Sequence, residues 1–264
     1  MAVTIQTLQE RKANQEKFSC LTAYDATFAS LLSARGIDLI LVGDSLGMVL
    51  QGKESTVPVS MDDMVYHTEC VARGKPQSLI MADMPFMSYA TNETSMANAA
   101  RLMQAGAHMV TLEGTDWMAD TIHRLSERGI PVCAHLGLTP QFVNKLGGYR
   151  VQGRDSEAAD RMVAHARMLV DAGADIVLLE CVPSPLAERI TREVSVPVIG
   201  IGAGPDTDGQ VLVLHDMLGI TQGHRPRFVK DFLADTGSVP AAIEAYDQAV
   251  KSGHFPTKEH SFRG

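Results

Sequence analysis

The chain has 264 residues, 45% of them hydrophobic and 20% charged, with a net charge of −8. That length suits one (β/α)8 barrel, typically about 250 residues, and the composition is that of an ordinary globular protein. The acidic balance, with no basic run to offset it, argues against a general affinity for nucleic acid or an anionic membrane.

In chain order, residues 4–16 read as a helix. They lack an apolar signal core, and no later run approaches the ~18 apolar residues of a membrane span, so a soluble cytoplasmic protein is expected. Strand-like apolar runs then alternate with amphipathic stretches, the signature of βα units around a parallel sheet. The predicted strands cover 18–23, 39–44, 79–84, 109–114, 132–137, 176–181, 196–202 and 210–215, the last with a pattern that suits a helix equally. Helices are predicted over 61–73, ending at Gly74 before Pro76, and over 92–105, with Thr91-Asn92 as the cap and Gly106 as the stop. A third, 157–172, sets Met162, Val163, Ala166, Leu169 and Val170 on one face. A fourth covers 238–251, and 254–264 reads as a polar, irregular tail. No Pro- or Ser-rich linker divides the chain, so one domain over 1–264 is expected, a (β/α)8 barrel with added terminal helices. Long inserts follow the second strand (51–58) and the fifth (139–154), where such barrels carry specificity. Cys20, Cys70, Cys133 and Cys181 are too far apart for a C-x-x-C pair and read as free thiols.

Five successive strands finish on a polar tip: Asp44, Asp83, Glu113, His135 and Glu180. Two segments nearly repeat, Ala105-Gly106-Ala107-His108 into Met109–Glu113 and Ala172-Gly173-Ala174-Asp175 into Ile176–Glu180. Parallel strands of one barrel place all these tips on the rim where chemistry occurs. Asp44, Asp83 and Glu113 would converge there and repel, and a hard divalent cation is the simplest stabiliser. Oxygen-only ligands favour Mg2+ or Mn2+ over zinc. Glu180, near the metal but not bound to it, suits a general base, with partial burial raising its pKa toward neutrality. His135 would hydrogen-bond a substrate carboxylate or carbonyl. Each residue alone has a plainer reading: a helix cap for Asp44, a turn before Met84-Pro85 for Asp83, a rim salt bridge for Glu113, a structural histidine for His135. The loop Gly200-Ile201-Gly202-Ala203-Gly204 reads as a tight turn, with phosphate binding as the alternative.

Several stretches together resemble the ketopantoate hydroxymethyltransferase family from about Phe18 to Phe262. They are Leu21-Thr22-Ala23-Tyr24-Asp25, Val42-Gly43-Asp44-Ser45-Leu46-Gly47, Ala82-Asp83-Met84-Pro85-Phe86, His135-Leu136-Gly137-Leu138-Thr139-Pro140-Gln141, Leu179-Glu180-Cys181-Val182-Pro183, Ile199-Gly200-Ile201-Gly202-Ala203-Gly204 and His260-Ser261-Phe262. The resemblance implies a (β/α)8 barrel assembled as a homodecamer of two pentameric rings. It implies Mg2+ on Asp44 and Asp83, with Glu113 reached through water. It implies a 2-oxo acid contacted by Asp44, Ser45, Asp83 and position 111, and Glu180 as proton acceptor. The implied reaction transfers a hydroxymethyl group from 5,10-methylenetetrahydrofolate to 3-methyl-2-oxobutanoate through a Mg2+-stabilised enolate. The product, 2-dehydropantoate, feeds pantothenate and coenzyme A synthesis. One departure stands out: the family usually has lysine at position 111, and here it is Thr111. Lys53 or Lys145, on the two long inserts, are candidates to restore the missing charge. The rival readings are a Mg2+-dependent C–C lyase or mutase on another 2-oxo acid, as in the phosphoenolpyruvate mutase and isocitrate lyase group, and a non-catalytic ring-forming paralogue.

Overall fold

Eight parallel strands close into a barrel: β1 (Phe18–Thr22), β2 (Leu39–Val42), β3 (Leu79–Asp83), β4 (Met109–Glu113), β5 (Val132–Gly137), β6 (Ile176–Glu180), β7 (Val198–Ile201) and β8 (Gly209–Leu212). Each pairs with the next, and β8 returns to β1 through Phe18↔Gly209 to Leu21↔Leu212. This computed structural model describes residues 2–223 and 225–263; Gly264, the last residue of the expected polar tail, lies outside them. The strands are buried almost throughout, which is why they read as continuous apolar runs rather than as alternation. No helix among the described residues is long and apolar enough to cross a membrane.

Helices Met61–Arg73, Asn92–Gln104, Ser156–Asp171 and Val239–Lys251 lie where the periodicity predicts them. Helices Ala26–Ala34, Ala119–Ser126 and Ser184–Glu193 complete the outer ring. Their starts are chemically marked. Asp25 accepts from the Phe28 amide, Asp155 from the Ala158 amide, and Ser60 with Asp63 forms a reciprocal capping box. The eighth strand is shorter than the expected 210–215. The Leu214 amide donates to Thr22 Oγ1 at 2.9 Å, and one helical turn, Leu214–Met217, follows at once. β2 stops at Val42, which leaves Gly43 and Asp44 in the turn beyond it. All four cysteines are free, and Cys20, Cys133 and Cys181 are buried.

The near-repeat seen in sequence is a repeated structural device at the bottom of the barrel. His108, just before β4, accepts from the Ile80 amide of β3 on Nδ1 at 3.0 Å. Asp175, just before β6, accepts from the Val132 amide of β5 on Oδ2 at 3.0 Å. Asp38, before β2, does the same for Ser19 of β1, and Asp208, before β8, for Val198 of β7. A strand's leading N–H would otherwise be buried without a partner. Each device also ties one strand to its neighbour in a single register.

The terminal helices are stapled to this face. Arg11 of helix Ile5–Ala13 meets Asp38 at 2.8 Å, and Lys251 of helix Val239–Lys251 meets it at 3.1 Å. Tyr246, fully buried, sets its hydroxyl 2.9 Å from the Cys20 carbonyl and 3.0 Å from the Gln210 carbonyl. Asp38 is only 3% exposed, so removing it leaves Arg11 and the Ser19 amide without their partner, while Lys251 keeps Asp247 at 2.7 Å. Asp38→Ala is therefore expected to destabilise the fold by about 2–3 kcal/mol, discounted for the part-exposed cations. Urea unfolding measures this, and a loss under about 0.5 kcal/mol would refute the staple.

Candidate active site

The C-terminal rim opens into a cavity of about 940 Å³, lined by Asp44, Ser45, Asp83, Glu113, His135 and Glu180 among others. The ladder accounts for this convergence. Asp83 stands opposite Thr111, Glu113 opposite His135, and Gly137 opposite Glu180. Thr111 is paired with a cavity residue, Asp83, but is not itself among the residues that line the space. It lies one layer below Glu113, buried beside Asp83, where its hydroxyl favours the Asp83 anion.

Asp44 caps no helix. Its amide donates to Asp83 Oδ2 at 3.1 Å, across a backbone approach that needs Gly43. A Cβ at Gly43 would fall 2.8 Å from Ser45 Oγ and 3.4 Å from Asp83 Oδ2. Ser45 shares a 2.9 Å hydrogen bond with the buried Tyr24 hydroxyl. His135 stands between two acids, with Nε2 3.2 Å from Glu180 Oε2 and Nδ1 3.7 Å from Glu113 Oε1.

Gln141, just past the fifth strand, organises the floor and was not singled out by sequence reasoning. It is buried. Its backbone amide donates to Glu113 Oε2 at 3.0 Å, and its Nε2 donates to Asp44 Oδ2 and to the Met84 carbonyl, both at 2.9 Å. Its Oε1 accepts from Tyr89 at 2.6 Å. One residue thus joins the tips of β2 and β3 through its side chain and β4 through its backbone amide. The signal was its place beside Pro140 in a conspicuous motif, yet an uncharged amide in a loop carries no chemistry of its own to draw attention.

Burial dominates the electrostatics. It pushes Asp44 up to about 6, against the pull of Gln141 and His135. Asp83 and Glu113 are held well above the usual carboxylate range, by burial first and by the neighbouring acids second. No Lys or Arg pairs with these three among the described residues. Lys53 turns back to the Pro58 carbonyl of its own insert at 3.0 Å, and Lys145 is not on the cavity wall. The cations there are Arg150, Arg154 and Arg227.

Among the described residues no three His, Cys, Asp or Glu side chains form a ready-made metal cage. The donor set still fits a magnesium-like ion. Gln141 occupies one oxygen of Asp44 and one of Glu113, and the Asp44 amide occupies one of Asp83. The other oxygen of each has no amide donor. Oxygen-only and few, they suit a hard cation that keeps several of its waters. The loop 200–204 behaves as a turn: Gly202 and Gly204 take positive φ, and Gly204 packs on Ser184.

A (β/α)8 barrel with buried acids, a histidine and an organising amide under one rim cavity defines an enzyme of the barrel class. A family model described as ketopantoate hydroxymethyltransferase matches residues 2–258. A 3-methyl-2-oxobutanoate hydroxymethyltransferase of Marinobacter nauticus is 70% identical over 263 residues, covering 100% of both chains. One from Hahella chejuensis is 59% identical, covering 99% of each. The chain belongs to the ketopantoate hydroxymethyltransferase family, and it is a one-carbon transferase of that kind. Among solved structures, phosphonopyruvate hydrolase in complex with oxalate and Mg2+ superposes with a TM-score of 0.63 at 14% identity, over 98% of this chain and 93% of that one. A 2,3-dimethylmalate lyase superposes at 0.59 and 18% identity, over 80% and 81%. These two show the shared fold alone.

Two outcomes follow from the site. Raised carboxylate pKa values favour the protonated folded form, so this contribution to stability is present below about pH 4, the unfolded value, and is lost as pH rises through about 6 for Asp44. Asp83 and Glu113 extend the loss upward. In EDTA the melting temperature is expected to fall from about pH 5 to about pH 8, and saturating Mg2+ should cancel the fall because the cation needs ionised ligands. A metal-free melting temperature that climbs over this range would contradict the burial argument. Gln141→Met keeps the volume and removes the side-chain hydrogen bonds. It should weaken Mn2+ binding, followed by electron paramagnetic resonance, by about ten- to a hundredfold. Unaltered affinity would mean that Gln141 does not set the ligand geometry.

Proposed function

We propose that this protein transfers a hydroxymethyl group from 5,10-methylenetetrahydrofolate to 3-methyl-2-oxobutanoate, giving 2-dehydropantoate for pantothenate and coenzyme A synthesis. Asp44 and Asp83 would hold Mg2+, with Glu113 reaching it through water. The observation that carries the reading is the cluster itself: buried Asp44 and Glu113 and half-buried Asp83, with no Lys or Arg partner among the described residues, beside a fourth acid, Glu180, that contacts His135 at 3.2 Å. Bound there, Mg2+ would supply Lewis acidity that makes the C3 proton of a 2-oxo acid easier to remove.

The chain's own residues account for the remaining steps. Glu180 lines the cavity two strands from Glu113, clear of the Gln141 network, and takes the C3 proton. His135, with Nε2 3.2 Å from Glu180 Oε2, keeps a polar edge for the substrate's carboxylate or carbonyl. Ser45, positioned by Tyr24, contacts the oxo acid beside Asp44. Leu41, Leu178 and Val211 line the same cavity and limit water around the deprotonated carbon. At the donor's methylene carbon one C–N bond gives way to the bond from C3 and the other to a bond from water oxygen, and the C3 proton on Glu180 and one proton of the water pass to the two nitrogens of the departing tetrahydrofolate. Thr111 lacks the ammonium that a lysine would offer, which leaves Ser45 and His135 at the floor to hold the oxo acid's carboxylate. The lyase and mutase alternative has only low-identity likeness behind it, whereas the transferase reading has full-length relatives at 57–70% identity.

Proton–deuterium exchange at C3 of 3-methyl-2-oxobutanoate, followed by NMR in heavy water without folate, isolates the first step. Exchange is expected to require Mg2+ and to fall about 10²- to 10⁴-fold in Glu180→Gln, while Mn2+ binding is retained. Exchange at an undiminished rate in that variant would remove Glu180 as the base.

A further inference from the structure

The cavity is acidic at its floor and basic along part of its wall. Asp44, Asp83, Glu113 and Glu180 occupy the floor, while Arg150, Arg154 and Arg227 also line the space. Most other arginines of this acidic chain pair with carboxylates, as Arg101 does with Asp62, Arg167 with Glu193 and Arg189 with Asp160, whereas Arg128 bonds only the Arg124 carbonyl. The three cavity arginines have no carboxylate partner among the described residues. Arg227 is nevertheless held: its Nε donates to the Glu259 carbonyl at 2.9 Å, which leaves the terminal amino groups for another acceptor. Three planar donors around one cavity, without a protein anion, match a carboxylate ligand that arrives from solution.

Of the two substrates, the oxo acid is small. Its C3 must meet Glu180, so its one carboxylate stays at the floor. The folate donor is long, and its glutamyl end must trail outward once the methylene carbon reaches C3. The wall along that path includes Tyr149, Phe228 and Phe262. Phe228 and Phe262 both lie against Gly202, where an added Cβ would fall 2.8 Å from one ring and 3.1 Å from the other. Aromatic walls of this kind suit the flat aminobenzoyl part of the donor.

We propose that Arg150, Arg154 and Arg227 form a carboxylate subsite for the glutamyl tail of the folate donor, and that it favours tails of several glutamates over one. This rests on the folate-dependent reading given above. All three arginines are exposed, so the preference is sensitive to salt.

The test is calorimetric titration of the full chain, with Mg2+ and oxo acid present, using tetrahydropteroylmonoglutamate and tetrahydropteroyltriglutamate. It compares wild type with the double variant Arg150→Ala/Arg154→Ala. Wild type is expected to bind the triglutamate about tenfold more tightly, and the double variant to lose that preference. Folate-free C3 exchange should be the same in both. A preference that survives in the variant, or none in wild type, overturns the subsite. Slower exchange in the variant overturns it too, because the arginines would then serve the oxo acid. Wild type that exchanges C3 but binds neither folate refutes the donor, and with it the subsite, while sparing the oxo-acid half of the function. Absence of exchange refutes the function itself.

Discussion

Buried like charges repel strongly where water cannot screen them, and buried Asp44 and Glu113 are gathered with half-buried Asp83 at one end of this barrel. Much of the upper half of the molecule can be understood as what keeps them there. The strand ladder holds their backbones, the Asp44 amide neutralises part of Asp83, and Gln141 spans Asp44 and Glu113. Tyr89 in turn fixes Gln141 and reaches the Glu113 carbonyl at 3.1 Å. These contacts orient the acids without discharging them. That leaves a site whose missing component is positive charge, the electrostatic condition for a hard cation.

The opposite face of the barrel solves a different problem. There the charges are paired, Asp38 with Arg11 and Lys251, and Asp208 with Lys12 at 2.7 Å. The acids that precede strands close the first amides of their neighbours and so tie register to side-chain chemistry. A slip of one residue in any ladder would turn a rim carboxylate from the cavity into the helix layer. Precision at the upper rim therefore depends on contacts made at the lower one. The same division holds in other (β/α)8 barrels, with stability below and chemistry above.

Much of the architecture was legible in the chain because buried parallel strands are short, apolar and punctuated. All eight strands and the principal helices fall within a few residues of where periodicity and capping chemistry set them. The eighth strand was ambiguous for a physical reason: Val211 to Leu214 pack equally well as strand or helix, and a side chain 192 residues away, Thr22, ends the ladder. The acids and His135 stood out because a charged or imidazole group at the end of an apolar run is conspicuous. Gln141 and the cavity arginines did not, since a loop amide and exposed basic residues look ordinary until folding shows what they face.

What the sequence determined by itself was the list of local choices: where the chain turns apolar, where helices start, and which polar groups terminate the strands. These follow from propensity, periodicity and capping, which act over a few residues. Tertiary structure decided which groups meet. It set Thr111 opposite Asp83, turned Lys53 back to its own loop, and brought Gln141 between acids up to 97 residues away. Distances of that kind are fixed by barrel closure and by the register of each ladder, and no local pattern in the chain encodes them.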